Sequence, residues 1–128
     1  MIFGIGCDIV YVSRLQKWIK NPDIIKRFFN PKETASEPMS EQRLCEHYAV
    51  RFAAKEAFSK ALGTGLRGFE LTDVHVENDE KGRPELLLEN KAEELAEVLC
   101  GKGYRIHLSL SHEKEYALAY VVIEKRCK

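Results

Sequence analysis

The segment Glu41 to Leu62, "EQRLCEHYAVRFAAKEAFSKAL", constrains this chain more than any other. Ser40 stands before it and Gly63 after it, the residue types with which a helix starts and stops. On a wheel of about 100° per residue, Leu44, Tyr48, Phe52, Phe58 and Leu62 share a broad apolar arc. Ala49, Ala53 and Ala57 form a stripe against which another backbone can lie closely. Such a helix belongs inside a fold, yet Arg51, Lys55, Glu56 and Lys60 lie on it. Arg51 and Lys55 fall within the apolar arc, and Glu56 and Lys60 fall beside the alanine stripe, one turn apart. Two readings are open. Glu56 and Lys60 form an exposed i,i+4 pair worth roughly 0.2–0.5 kcal/mol, or these charges are buried and must be paired or coordinated.

Around this helix the chain alternates short elements. Ile2 to Val10 reads as a strand. Ser13 is placed to cap a short basic helix through Ile19, Pro22 opens "PDIIKRFF", and Pro31 opens a third short turn. Residues 34–40 read as loop. "FELTDVHVE" and "PELLLE" read as strands joined by "NDEKGR". Asn90 with Glu93 has capping-box spacing for a helix ending near Gly101. "YRIHLSLS" and "YALAYVVIE" form a second hairpin around "HEKE". In its first strand Tyr104, Ile106, Leu108 and Leu110 face one way, and Arg105, His107, Ser109 and Ser111 the other. The last strand is apolar on both faces, as a strand covered on both sides is. The fold class is α+β, antiparallel hairpins packed on a long central helix. With 128 residues, positions 1–128 are read as a single domain.

Composition narrows the function. The formal net charge is zero, and neither a nucleic-acid nor a membrane partner is expected. The charge is unevenly placed: Tyr11 to Lys32 holds six Lys/Arg against Asp23, and Glu77 to Glu97 holds eight acids against three bases. The basic half suits an acidic partner, and both halves also suit solvated faces. Cys7, Cys45, Cys100 and Cys127 lack metal-ligand spacing, so no structural zinc is expected. Scattered cysteines fit a reducing, cytoplasmic setting. The start "MIFGIGCDIV" lacks a basic n-region, so no signal peptide is expected, and no apolar run reaches the ~20 residues of a membrane span.

Three features suggest chemistry. Asp8 interrupts an apolar strand, where aspartate is depleted. It reads equally as a surface residue, as the strand's end, or as a functional group. Ser111-His112 at the tip of the last hairpin is weak alone. Taken together, Asp8 and Glu56 would suit Mg2+, which uses few protein carboxylates and completes its shell with water and phosphate oxygens. Arg51, Lys55, Lys60 and His112 would offer cations to a polyphosphate. The Gly63-Thr64-Gly65 turn would let a ligand approach the backbone. No Walker loop is present.

"GIGCDIV", "RFAAKEAFSKALGTG" and "LSLSHEKEYALAYVV", with "KGRP" between the middle strands, resemble the holo-acyl-carrier-protein synthases, the short single-domain 4′-phosphopantetheinyl transferases. The resemblance spans almost the whole chain. It implies transfer of 4′-phosphopantetheine from coenzyme A to a carrier-protein serine, with release of adenosine 3′,5′-bisphosphate, in fatty acid biosynthesis. It implies Asp8 and Glu56 as Mg2+ ligands and Lys60 as the phosphate-reaching lysine. It implies Arg51, Lys55, Gly63, Gly65 and His112 around coenzyme A, and Arg14, with Lys17, toward an acidic acyl carrier protein. It also implies a homotrimer with sites between subunits. Cys7 departs from the apolar side chain expected there and is read as a buried thiol acting as a small hydrophobe. Two competing readings use the same residues: a Mg2+-dependent nucleotide pyrophosphohydrolase, which would need more carboxylates, and a non-catalytic nucleotide-sensing module.

Overall fold

The long helix forms as its sequence requires. In this computed structural model, which describes residues 1–126, α2 spans Glu41–Leu62. Ser40 Oγ accepts from the Arg43 N–H at 3.2 Å, satisfying one orphan donor of the first turn. Gly63 ends the helix at φ +86°, a left-handed conformation that costs glycine no Cβ clash. Cys127 lies outside the described residues.

Around α2 the elements run in the order β1 (Ile2–Tyr11), a 3-10 turn (Val12–Leu15), α1 (Pro22–Phe28), a second 3-10 turn (Pro31–Glu33), α2, a third 3-10 turn (Leu71–Asp73), β2 (Val74–Asn78), β3 (Pro84–Leu88), α3 (Asn90–Cys100), β4 (Arg105–His112) and β5 (Tyr116–Glu124). The three strands β1-β5-β4 form one antiparallel sheet and β2-β3 a separate hairpin. The α+β expectation holds.

Strand alternation divides the larger sheet into two faces. One side packs on α2, through Val10, Ala117, Ala119, Val121 and Ile123, all buried. Half-buried Ile106, Leu108 and Leu110 continue it on β4, in the alternation expected. The opposite side is open and apolar. Ile5, Ile9 and Tyr11 on β1 are 62%, 60% and 61% exposed, and Tyr120 on β5 is also exposed. In register, Ile5 lies beside Val122, Cys7 beside Tyr120, and Ile9 beside Leu118.

The contact that sets the geometry is between β1 and α2. A Cβ at Gly4 would lie 1.9 Å from the carbonyl oxygen of Ala61, and one at Gly6 2.0 Å from that of Ala57. Both distances are far inside van der Waals contact, so only glycine lets the strand reach the helix backbone. The alanine stripe therefore receives β1, and Ala53 and Ala57 are fully buried.

Four local expectations are corrected. Ser13 does not cap a helix through Ile19: the segment is a short 3-10 turn with no side-chain cap. Its shape comes from tertiary packing, since Val12 and Leu15 are buried and the Val12 N–H bonds Glu115 O at 2.8 Å. The stretch "FELTDVHVE" becomes strand only at Val74, because Asp73 turns back to accept from the Glu70 N–H at 3.2 Å. Asn90 does not cap α3. Glu89 holds the N-cap position, Asn90 sits at φ +49°, and its amide donates to Asp73 at 3.3 Å. Cys7 is exposed on the open sheet face rather than buried.

Candidate active site

On β1, Asp8 follows Gly6 on the helix-facing side. The close strand–helix approach brings it to the part of α2 that carries Glu56 and Lys60. Lys60 Nζ donates to Asp8 Oδ1 and to the Cys7 carbonyl, each at 3.0 Å. The lysine thus pairs with Asp8, across 52 positions of sequence, and not with Glu56 one turn before it. This hydrogen bond holds the Lys60 pKa above its ordinary value, so its ammonium persists at neutral pH.

Glu56 is half-buried beside the pair. Burial pushes its carboxyl pKa up, and the negative charge of Asp8 pushes it further in the same direction. Lys60 and Arg14 pull it back. Two carboxylates with one ammonium, and that one paired to Asp8, have a surplus of negative charge at Glu56 that a further cation would relieve. Among the described residues no cluster of three or more His, Cys, Asp or Glu side chains forms a metal cage. Two hard oxygen donors without a cage fit Mg2+, which keeps water and substrate oxygens in its shell, and not a structural zinc. Gly63 and Gly65 lie just beyond Lys60, both at positive φ, with no atom within 4 Å of an added Cβ at either position.

The other expected site residues lie elsewhere in the chain. Arg51 is about 140° around the helix from Glu56, on the opposite face. Its guanidinium donates to the His47 carbonyl at 3.0 Å, its Nε is buried without a hydrogen-bond partner, and burial pushes its pKa down. His112 ends β4 with Nδ1 3.2 Å from Glu46 Oε1. Glu46 lies about 15 Å before Glu56 along the helix axis at 1.5 Å per residue.

Lys55 is a correction. It is completely buried, and its ammonium donates to Glu33 Oε1 at 2.6 Å, to Leu71 O at 3.0 Å and to Val74 O. An ammonium has three donors, so none remains for a polyphosphate. Its partner Glu33 was the residue that sequence reasoning missed. The Glu33 carboxylate also accepts from the N–H groups of Asn30 (3.1 Å) and Val76 (3.0 Å). The Asn30–Glu33 spacing is that of a capping box, a signal present in "NPKE".

With this geometry in view, comparison with known proteins gives a consistent result. Residues 4–121 match the profile of the 4′-phosphopantetheinyl transferase superfamily. The chain belongs to this family. It is 51% identical over 124 residues to a holo-[acyl-carrier-protein] synthase of Treponema denticola, covering 97% of this chain and 99% of that one. It is 46% identical over 129 residues to the holo-[acyl-carrier-protein] synthase of Geotalea daltonii, covering 98% and 100%. Among solved structures, the Bacillus anthracis holo-(acyl-carrier-protein) synthase in complex with CoA (3′,5′-ADP) superposes with a TM-score of 0.80 at 37% identity, covering 98% and 99%. The Neisseria meningitidis holo-[acyl-carrier-protein] synthase superposes at 0.79 and 35%, covering 98% and 100%. The α+β architecture on a long helix is therefore that of the phosphopantetheinyl transferases.

The electrostatics give a stability prediction for this family member. A carboxyl whose folded pKa is raised makes the fold less stable once it ionises. That cost is absent below the ordinary glutamate value of 4.5 and fully present above the folded value. Without divalent cations, Glu56→Gln should melt above wild type at neutral pH, and the gap should close as pH falls below 4.5. Thermal melts across pH measure this, and a variant that melts below wild type at neutral pH would show that Glu56 stabilises the fold.

Proposed function

We propose that this chain transfers the 4′-phosphopantetheine group of coenzyme A to a serine hydroxyl of an apo-acyl carrier protein, releasing adenosine 3′,5′-bisphosphate, in support of fatty acid biosynthesis. The observation that carries this reading is the Asp8–Glu56–Lys60 cluster at the β1–α2 contact, in a chain that belongs to the phosphopantetheinyl transferase family. In the reaction the serine oxygen forms a bond to the β-phosphorus, and the bond from that phosphorus to the bridging oxygen breaks. Such transfer depends on positioning and charge neutralisation.

In this reading Asp8 and Glu56 hold Mg2+, which when bound neutralises charge on the pyrophosphate. Lys60, kept protonated by Asp8, donates to phosphate oxygens and is unsuited to removing the serine proton. Glu56 is the chain's own candidate for accepting that proton. Gly63 and Gly65 leave open backbone beside the cluster for coenzyme A. Arg51 and His112 make their contacts with His47 and Glu46 rather than with the Asp8 cluster, and in the trimer they would serve coenzyme A bound at a neighbouring copy's cluster. Arg14 and Lys17 meet the acidic carrier.

The open sheet face supports a homotrimer. Ile5, Ile9, Tyr11 and Tyr120 form a continuous apolar surface on the side away from α2, with the Tyr11 and Tyr116 rings 5.0 Å apart at its end. Extended apolar patches of this kind mark interfaces. A cytoplasmic setting is supported by the free thiols of Cys7, Cys45 and Cys100. No helix among the described residues is long and apolar enough to cross a membrane.

Coenzyme A, Mg2+ and an apo-carrier, followed by intact-protein mass, test the activity. A carrier mass gain of one phosphopantetheine is expected, with Asp8→Asn losing most of it, since a hard cation loses an anionic ligand. Coenzyme A cleavage without carrier would favour the hydrolase, and binding without turnover the sensor.

The assembly is tested by sedimentation. Wild type should sediment as three copies, and Ile9→Lys should shift it toward monomer with loss of transfer. A stable, active wild-type monomer would remove the trimer.

A further inference from the structure

Arg14 occupies a corner made of two aromatic rings. Its Cζ lies 5.5 Å from the Trp18 ring centroid and 5.4 Å from that of Phe52. The two rings stand at 88° with centroids 5.0 Å apart. Phe28 packs behind them, 5.1 Å from Trp18 and 6.2 Å from Phe52. Phe52 is buried and lies one turn before Glu56 on α2, so the corner opens at the edge of the carboxylate pair. The field of Arg14 reaches Glu56. Among the described residues Arg14 makes no hydrogen bond or ion pair within the chain, and the groups it packs against are the two rings. Its guanidinium donors are therefore available to an incoming group.

An exposed arginine ordinarily samples many rotamers, and bidentate recognition of a carboxylate or phosphate needs the guanidinium plane fixed. We propose that Trp18 is a positioning residue whose ring, with Phe52, holds the Arg14 guanidinium at the rim of the Asp8–Glu56 pair, oriented for an anionic group of the incoming carrier. This deepens the reading of Arg14 as a carrier contact and rests on it. The ring of Trp18 is half-buried. It acts through Arg14, by the attraction between a cation and the electron-rich ring face.

Trp18 is the only tryptophan of the chain, which makes a clean test possible. Biosynthetic replacement by tryptophans of increasing fluorination withdraws ring electron density at this one position while keeping its shape. KM for apo-carrier and for coenzyme A, with kcat and melting temperature, are measured for the series in wild type and in Arg14→Ala. The expected result is a stepwise rise in carrier KM, about two- to fivefold at the most fluorinated ring, with coenzyme A KM unchanged. In Arg14→Ala the carrier KM is already raised and fluorination leaves it flat. Trp18→Phe, which keeps a ring but a weaker one for a cation, should raise carrier KM part-way, and Trp18→Leu should approach Arg14→Ala. If Arg14→Ala leaves carrier KM at the wild-type value, Arg14 is not a carrier contact and both readings fall. If Arg14→Ala raises it but fluorination has no effect, or the same effect in both backgrounds, the Trp18 proposal alone is overturned.

Discussion

Two missing side chains hold the site together. Gly4 and Gly6 let β1 lie against the carbonyls of Ala61 and Ala57, at distances no Cβ could occupy. Everything at the site depends on that approach. Strand alternation then puts Asp8 on the helix-facing side, one step along from Gly6. Pairing with β5, Asp8 opposite Ala119 and Val10 opposite Ala117, fixes the strand in place. A larger residue at position 6 would push the strand off the helix, and Asp8 away from Glu56 and Lys60, without touching any of the three.

The central helix carries charge on two faces, and the structure treats them differently. On one face Lys55 and Glu33 are wholly buried and mutually satisfied. Removing one partner of such a pair typically costs about 3–5 kcal/mol, because the other charge is left stranded. This pair joins α2 to the turn at Pro31–Glu33 and to β2, and it has no donor left for a ligand. On the other face Asp8, Glu56 and Lys60 are accessible and unbalanced: Lys60 pairs with Asp8, and Glu56 is left beside them with burial and the charge of Asp8 holding its pKa up. Closed compensation marks the structural charge, and incomplete compensation marks the charge proposed to hold a cation.

Much of this was legible in the sequence because it is local. The boundaries of α2 follow from Ser40 and Gly63, and its alanine stripe correctly implied a close-packed backbone. The final hairpin and its two faces follow from alternation. What failed was long-range or required competition between local options. The wheel placed Lys55 in the apolar arc, which is right, but could not reveal Glu33, 22 positions earlier. The resemblance then assigned Lys55 to coenzyme A. Asn90 had cap spacing, yet Asp73, 17 positions away, drew its amide aside. Asp8, Glu56 and Lys60 were named as a set, but the sequence did not show that Lys60 would pair with Asp8 across the contact.

The proposed Mg2+ site rests on the backbone proximity that glycine sets. Calorimetric titration of Mg2+ into Gly6→Ala, with coenzyme A present and folding verified, tests this most directly. The folded variant's Mg2+ affinity should fall by roughly 10–100-fold, as it should in Asp8→Asn, although residue 6 offers no ligand. A folded Gly6→Ala protein that binds Mg2+ like wild type would contradict it.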